Sequence, residues 1–148
     1  MSIRALMLVL VAGLAAMACD ESLSKLAGPT PSLEPTFASV QKEIFETTDA
    51  AGRVACVNCH TSTGRNPSAG LNLNHDVAYD QIVNVPSSRK PGAIRVIPGD
   101  AENSYLVHKV EGLSDIVGIR MPFSGPPYLT DGQILILKRW IANGAPRN

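Results

Sequence analysis

The sequence predicts a small, mostly α domain with long irregular connections. Three observations carry that expectation. Apolar residues recur at helical spacing in two well-bounded segments, residues 37–45 and 134–141. The stretch between them is broken repeatedly by 7 of the chain's 11 prolines and 9 of its 12 glycines, which favours loops over long regular elements. Aromatic side chains make up only 5% of the chain, so the protein supplies few large apolar bodies for its own core.

In chain order, the first segment is a leader. Arg4 precedes an uncharged run over residues 5–18, rich in Leu, Val, Met and Ala. That run is shorter than the roughly 20 residues a membrane-spanning helix needs. It reads as a signal peptide, so residues 1–18 are set apart and the mature chain is expected to be exported. Ala16-Met17-Ala18 satisfies the small-x-small rule of ordinary cleavage, while Leu14-Ala15-Ala16-Met17-Ala18-Cys19 resembles a bacterial lipoprotein box, with Ala16 where such boxes more often carry Leu. Residues 19–35 contain Pro29, Pro31 and Pro35 and few bulky apolar groups, the composition of an extended tether.

Residues 36–148 have the length of one domain, with no internal repeat. Phe37, Val40, Ile44 and Phe45 fall on one helical face behind Thr36 as N-cap, with Lys42 and Glu43 toward water. Then comes the most informative stretch, Cys56-Val57-Asn58-Cys59-His60, the C-x-x-C-H signature of c-type haem attachment. Its spacing follows from its chemistry. Two thiols on one turn can form thioethers to the two vinyl groups of a single porphyrin, and the adjoining imidazole is placed to reach the iron.

The rival uses of this pattern are weaker. A closed zinc site needs four ligands, and Cys19, His75 and His108 provide no second paired motif. A thioredoxin-like pair follows a buried strand, whereas the residues before Cys56 read as a helix end and loop. A plain Cys56–Cys59 disulfide leaves His60 unexplained. Haem attachment also consumes two of the three thiols, and this favours lipidation of Cys19 over an exposed reactive group in an oxidising compartment.

Beyond the motif, residues 61–70 are turn formers and predict a wrapping loop. Residues 74–83 predict a short helix with Val77, Ile82 and Val83 partly inward, and residues 85–97 are irregular, with a short strand near residues 95–97 compatible with the pattern. Pro98-Gly99-Asp100 signals a start, with Asp100 as N-cap to a helix carrying Tyr105, Leu106, Lys109 and Val110 before Gly112. Thr130 and Gln133 form a capping box for the last helix, whose apolar face is Ile134, Leu135, Leu137, Trp140 and Ile141 and whose stop is Gly144. Tyr105 and Trp140 are expected in the core or against the haem.

A low-spin haem needs a sixth ligand, and the exported chain offers Met121, His75 and His108. Met121 fits best, because Arg120-Met121-Pro122 lies in a loop between Gly118 and Gly125-Pro126-Pro127 and the proline restrains the methionine's backbone. Its soft thioether favours ferrous iron and raises the reduction potential. Arg89, Lys90, Arg95 and Arg120 are candidates to pair with haem propionates.

Taken together, the 37–45 helix, the Cys56 to His60 motif, Gly70-Leu71-Asn72-Leu73, Val96-Ile97-Pro98-Gly99-Asp100 with Ser104-Tyr105-Leu106, Arg120-Met121-Pro122 and Trp140-Ile141-Ala142-Asn143-Gly144-Ala145 resemble the single-haem, class I-like c-type cytochrome domains of bacteria, particularly the planctomycete-type families. The resemblance implies a small helical domain wrapped around one covalent haem c, thioethers at Cys56 and Cys59, proximal ligation by His60 and distal ligation by Met121. The connection over residues 83–96 has no assigned counterpart in a compact cytochrome.

Without Arg4 the chain carries 12 basic and 13 acidic groups, a balance that does not suggest a nucleic-acid partner. The expected function is one-electron transfer between redox proteins outside the cytoplasm, on a periplasmic or envelope protein held to a membrane through Cys19, rather than catalysis. The alternatives are a haem enzyme or gas or peroxide sensor with an open sixth site, and an anchored protein in which the Cys pair is only a disulfide.

Overall fold

A computed structural model describes residues 33–148. Cys19, the expected leader and most of the expected tether lie outside the described residues. The described chain is helical, and among these residues extended pairing is limited to isolated bridges such as Val83 with Val96 and Pro86 with Ile94.

The first helix opens as a single α turn, Phe37–Ser39 (α1), with the Thr36 hydroxyl accepting from the Ser39 N–H as the sequence predicts. It continues directly as a π-helix, Val40–Phe45, a form that the residue pattern did not announce. This wider winding brings Val40, Gln41, Ile44 and Phe45 all into the interior. After two single-turn 3-10 segments, Cys56–Asn58 and Ser68–Gly70, come α2 (Ala78–Ile82), α3 (Tyr105–Glu111) and α4 (Asp131–Ala142).

The two ends of the domain close on each other. Phe37 meets Trp140 at 5.6 Å with the rings tilted by 40° and lies edge-on at 5.1 Å to Tyr79, and the Phe37 and Ala38 N–H groups donate to Asn148. Trp140 is fully buried, its indole N–H satisfied by the Pro146 carbonyl. α4 packs against α3 and the π-helix, and Val40, Ile44, Ile82, Val96, Val107, Leu137 and Ile141 fill the space between them.

The capping box of α4 is formed on both sides, Gln133 N–H to Thr130 Oγ1 at 3.2 Å and Thr130 N–H to Gln133 Oε1 at 3.0 Å. Gly144 ends that helix at φ +93°, a conformation for which glycine carries no Cβ penalty. Two expected boundaries move. α2 starts only at Ala78, leaving Val77 exposed. Ser104, not Asp100, is the N-cap position of α3. Asp100 instead caps the preceding turn, accepting from the Asn103 N–H at 3.1 Å, while the Ser104 hydroxyl donates to the Asp100 carbonyl at 2.7 Å.

The most demanding interior group is Arg53, which has no exposed surface. Its guanidinium pairs with Asp49 at 3.2 Å and donates to the carbonyls of Ile44 at 3.1 Å, Thr47 at 3.2 Å and Glu43 at 3.4 Å. π-winding changes which amides serve the helix carbonyls near its end, and the guanidinium occupies that end. A buried charge of this kind is tolerated only when paired and hydrogen-bonded throughout. Arg53→Met is therefore expected to lower stability by about 3 kcal/mol by stranding Asp49 and these carbonyls, read as a lower urea midpoint with little change in slope. A midpoint within error of the wild type would show that Arg53 does not hold this region.

Candidate functional site

The Cys56 to His60 segment is a tight turn hung from the π-helix. The Cys56 carbonyl accepts from both the Cys59 N–H at 3.2 Å and the His60 N–H at 2.9 Å. This double acceptance gathers the two thiols and the imidazole onto one turn. Buried Ala55 and Arg53 root it from below, and the Cys56 Sγ lies 3.5 Å from the Ile44 carbonyl that Arg53 also engages. Both cysteines are free thiols, Cys59 exposed and Cys56 half-buried. Burial pushes the Cys56 thiol above its ordinary value, against the opposing pull of the Arg53 charge.

The following loop folds back over His60. Ser68 N–H donates to the Cys59 carbonyl at 3.0 Å, Leu73 N–H donates to the His60 carbonyl at 2.8 Å, and His60 Nδ1 lies 3.0 Å from the Ser68 carbonyl. A carbonyl can only accept, so Nδ1 carries the proton in this bond and Nε2 keeps the lone pair. Burial lowers the His60 pKa; the Ser68 and Leu71 carbonyls oppose it, and the charges of Arg95 and Lys109 add to it. A neutral imidazole with its tautomer fixed by a backbone acceptor is the usual state of a metal-ligating histidine.

Met121 is half-buried on a separate loop, its N–H donating to the Lys109 carbonyl at 2.8 Å. The Lys109 ammonium holds the same loop through the carbonyls of Val117 at 3.0 Å and Ile119 at 2.5 Å. The loop also turns apolar surface outward: Leu113, Val117 and Ile119 are exposed, and Phe123 keeps 74% of its surface.

No family model, curated protein or solved structure matches this chain.

The two other histidines are engaged elsewhere. His75 is exposed and sits 3.3 Å from Glu46. Both ring nitrogens of His108 face acceptors, Nδ1 at 2.8 Å from Asp115 and Nε2 at 2.6 Å from the Glu102 carbonyl. Neither nitrogen of His108 is therefore left for a metal. Among the candidate propionate partners, Lys90 pairs with Asp115 at 2.6 Å, Arg120 donates to the Val110 carbonyl at 2.7 Å, and Arg89 lies exposed. Arg95 is half-buried and donates to the Gln81 carbonyl at 2.6 Å. Burial lowers the pKa of both Arg95 and Lys109, and among the described residues neither forms an ion pair with a carboxylate.

No three His, Cys, Asp or Glu side chains converge as a chelating group among the described residues, so they form no closed zinc cage. A cleft of about 460 Å³ lies between α3 and α4 against Arg120 and contains none of the motif residues.

Sequence reasoning did not single out Arg53, Ser68 or Lys109. Ser68 acts through its main chain and carries no side-chain signal. An arginine four residues after an aspartate was a weak cue to the clasp that roots the turn.

Asp115 links the Met121 loop to α3 through His108 and to the 84–96 connection through Lys90. Burial alone would lower the His108 pKa, but the Glu102 carbonyl and the Asp115 carboxylate outweigh it and raise the value above 6.5. Hydrogen bonds from Lys90 and then His108 hold Asp115 below its ordinary 3.8. A raised histidine stabilises fully below its unfolded value and loses that contribution as pH rises through the folded value. Wild-type stability is thus expected to decline as pH rises above about 6.5 by more than that of His108→Gln, measured as urea midpoints. Parallel pH profiles for the two proteins would refute the linkage.

Proposed function

We propose that this chain is a single-haem c-type cytochrome that carries one electron between redox proteins outside the cytoplasm. The observation that carries the proposal is His60, its Nδ1 3.0 Å from the Ser68 carbonyl, beside two free thiols on the same turn. The residues fit the group in three respects. Cys56 and Cys59 are available as thiols for thioether bonds, with no disulfide to break first. His60 keeps an imidazole lone pair on Nε2, with Nδ1 committed to Ser68. The outward apolar side chains Val117, Ile119 and Phe123 accompany the loop that bears the proposed distal ligand, where a porphyrin face gives them a partner.

When bound, haem iron supplies a one-electron couple whose potential is set by its axial ligands and by the polarity around it. The protein's own residues hold and shield it. Cys56 and Cys59 would hold it covalently, His60 and Met121 would be its iron ligands, and a thioether ligand would favour the ferrous state. Arg95, half-buried and without a carboxylate partner among the described residues, suits a propionate. In this proposal the leader delivers the chain to the compartment where thioethers form, and a lipid on Cys19 keeps it at a membrane surface.

The test is expression of the full chain in a bacterial host that possesses a haem-ligation apparatus. Pigment surviving acid and solvent extraction, a mass increase of one haem, and a weak long-wavelength ferric band from sulfur bonding are expected. Met121→Ala should abolish that band and lower the potential with haem retained. Covalent haem with a wild-type sixth site open to external ligands would favour the enzyme or sensor alternative, and a chain matured without added mass would refute the cytochrome.

A further inference from the structure

α3 spans only Tyr105–Glu111, and like any helix it leaves its last carbonyls without intrahelical partners. Their acceptors are filled in a particular way. The His108 carbonyl accepts from Gly112 N–H at 2.9 Å and Leu113 N–H at 3.2 Å, the ordinary closure through a left-handed glycine at φ +76°. The next two carbonyls are served from the methionine loop. Lys109 accepts from the Met121 N–H at 2.8 Å, and Val110 accepts from Arg120 Nε at 2.7 Å. One dipeptide therefore caps the helix twice, once by its main chain and once by its side chain.

The Arg120 side chain is confined along its whole length. Its stem passes so close to Gly112 that an added Cβ there would meet Arg120 Cδ at 2.8 Å. Its guanidinium sits 4.2 Å from the centre of the Tyr128 ring. That ring in turn lies against Gly125, where a Cβ would approach it to 2.3 Å. Arg120 thus spans from the end of α3 across the root of the methionine loop to the turn at residues 125–128. A cation at a helix C-terminus is also favoured by the helix dipole.

We propose that Arg120 is the positioning residue for the distal ligand: by capping α3 and stacking on Tyr128 it fixes the backbone of Met121 so that the thioether stays on the iron. This rests on the haem proposal above and adds to it a role that ligand identity alone does not require. A restrained ligand loses little freedom on binding, so the bound state dominates; with the clasp removed, the loop samples detached states and an external ligand competes better.

The experiment uses the full, haem-loaded chain and titrates ferric protein with imidazole, alongside the long-wavelength sulfur band and covalent haem content. Arg120→Gln is expected to keep its haem, weaken the sulfur band and bind imidazole about tenfold more tightly, a ratio equivalent to about 1.4 kcal/mol and within reach of one charged hydrogen bond with one cation–π contact. Arg120→Gln with lowered stability but an intact band and unchanged imidazole affinity would make Arg120 merely structural and overturn the proposal. Should Arg120→Gln not accumulate, Tyr128→Leu against Tyr128→Phe decides it. Leu should loosen the ligand and Phe, which keeps the ring, should not; equal behaviour overturns the proposal. Wild-type protein that carries haem but lacks the sulfur band removes Met121 and this role together while leaving the haem in place. Wild-type protein without haem removes the underlying function as well.

Discussion

A guanidinium with no exposed surface must be neutralised and hydrogen-bonded where it lies, and satisfying Arg53 organises the N-terminal half of this domain. Asp49 supplies the opposite charge, and the carbonyls of Glu43, Ile44 and Thr47 supply acceptors. The Ile44 carbonyl also lies within reach of the Cys56 thiol, so the turn that bears the thiols is registered against the π-helix by an atom it shares with Arg53. Gln41, buried on the same helix, donates to the Leu73 carbonyl at 2.9 Å, which ties down the far end of the loop that wraps His60. One helix thereby anchors both arms of the motif.

The second half of the proposed site obeys a different constraint. α3 is short and cannot satisfy its own final carbonyls, so the chain that returns past it must bring donors. Those donors are Met121 and Arg120, while the Lys109 ammonium holds residues 117 and 119 and Asp115 gathers Lys90 and His108. The Val117 N–H finds the Tyr105 hydroxyl at 2.8 Å. A segment without regular structure is thus held at five residues between 115 and 121. For the proposed electron carrier such restraint has a clear use, because a ligand already in position requires little rearrangement when the iron changes charge.

Local signals were legible where a residue's neighbours in sequence are also its partners in space. Thr36, Thr130 with Gln133, and Gly144 act within four residues of themselves, and each is found in its expected role. Asp100 was legible as a capping residue but not as to what it caps, since an Asx turn and a helix N-cap use the same oxygen for the same kind of donor. The π-helix was not legible, because a widened turn buries adjacent residues, as at Val40 with Gln41, that a 3.6-residue period places on diverging directions. His108 read as a possible ligand until the fold brought Asp115 and Glu102 to its two nitrogens.

The sequence by itself determined the chemistry on offer: two thiols and an imidazole at a spacing set by covalent connectivity, one methionine in a proline-rich loop, the cap that starts α1 and the signals that start and stop α4. Tertiary structure alone decided the states of those groups. His60 Nδ1 has an acceptor because a carbonyl eight residues away folds back to it, Cys56 is shielded because the π-helix lies over it, and Met121 is restrained because a helix elsewhere lacks donors. Protonation, tautomer and restraint depend on dielectric and on partners distant in sequence, and these exist only once the chain has closed on itself.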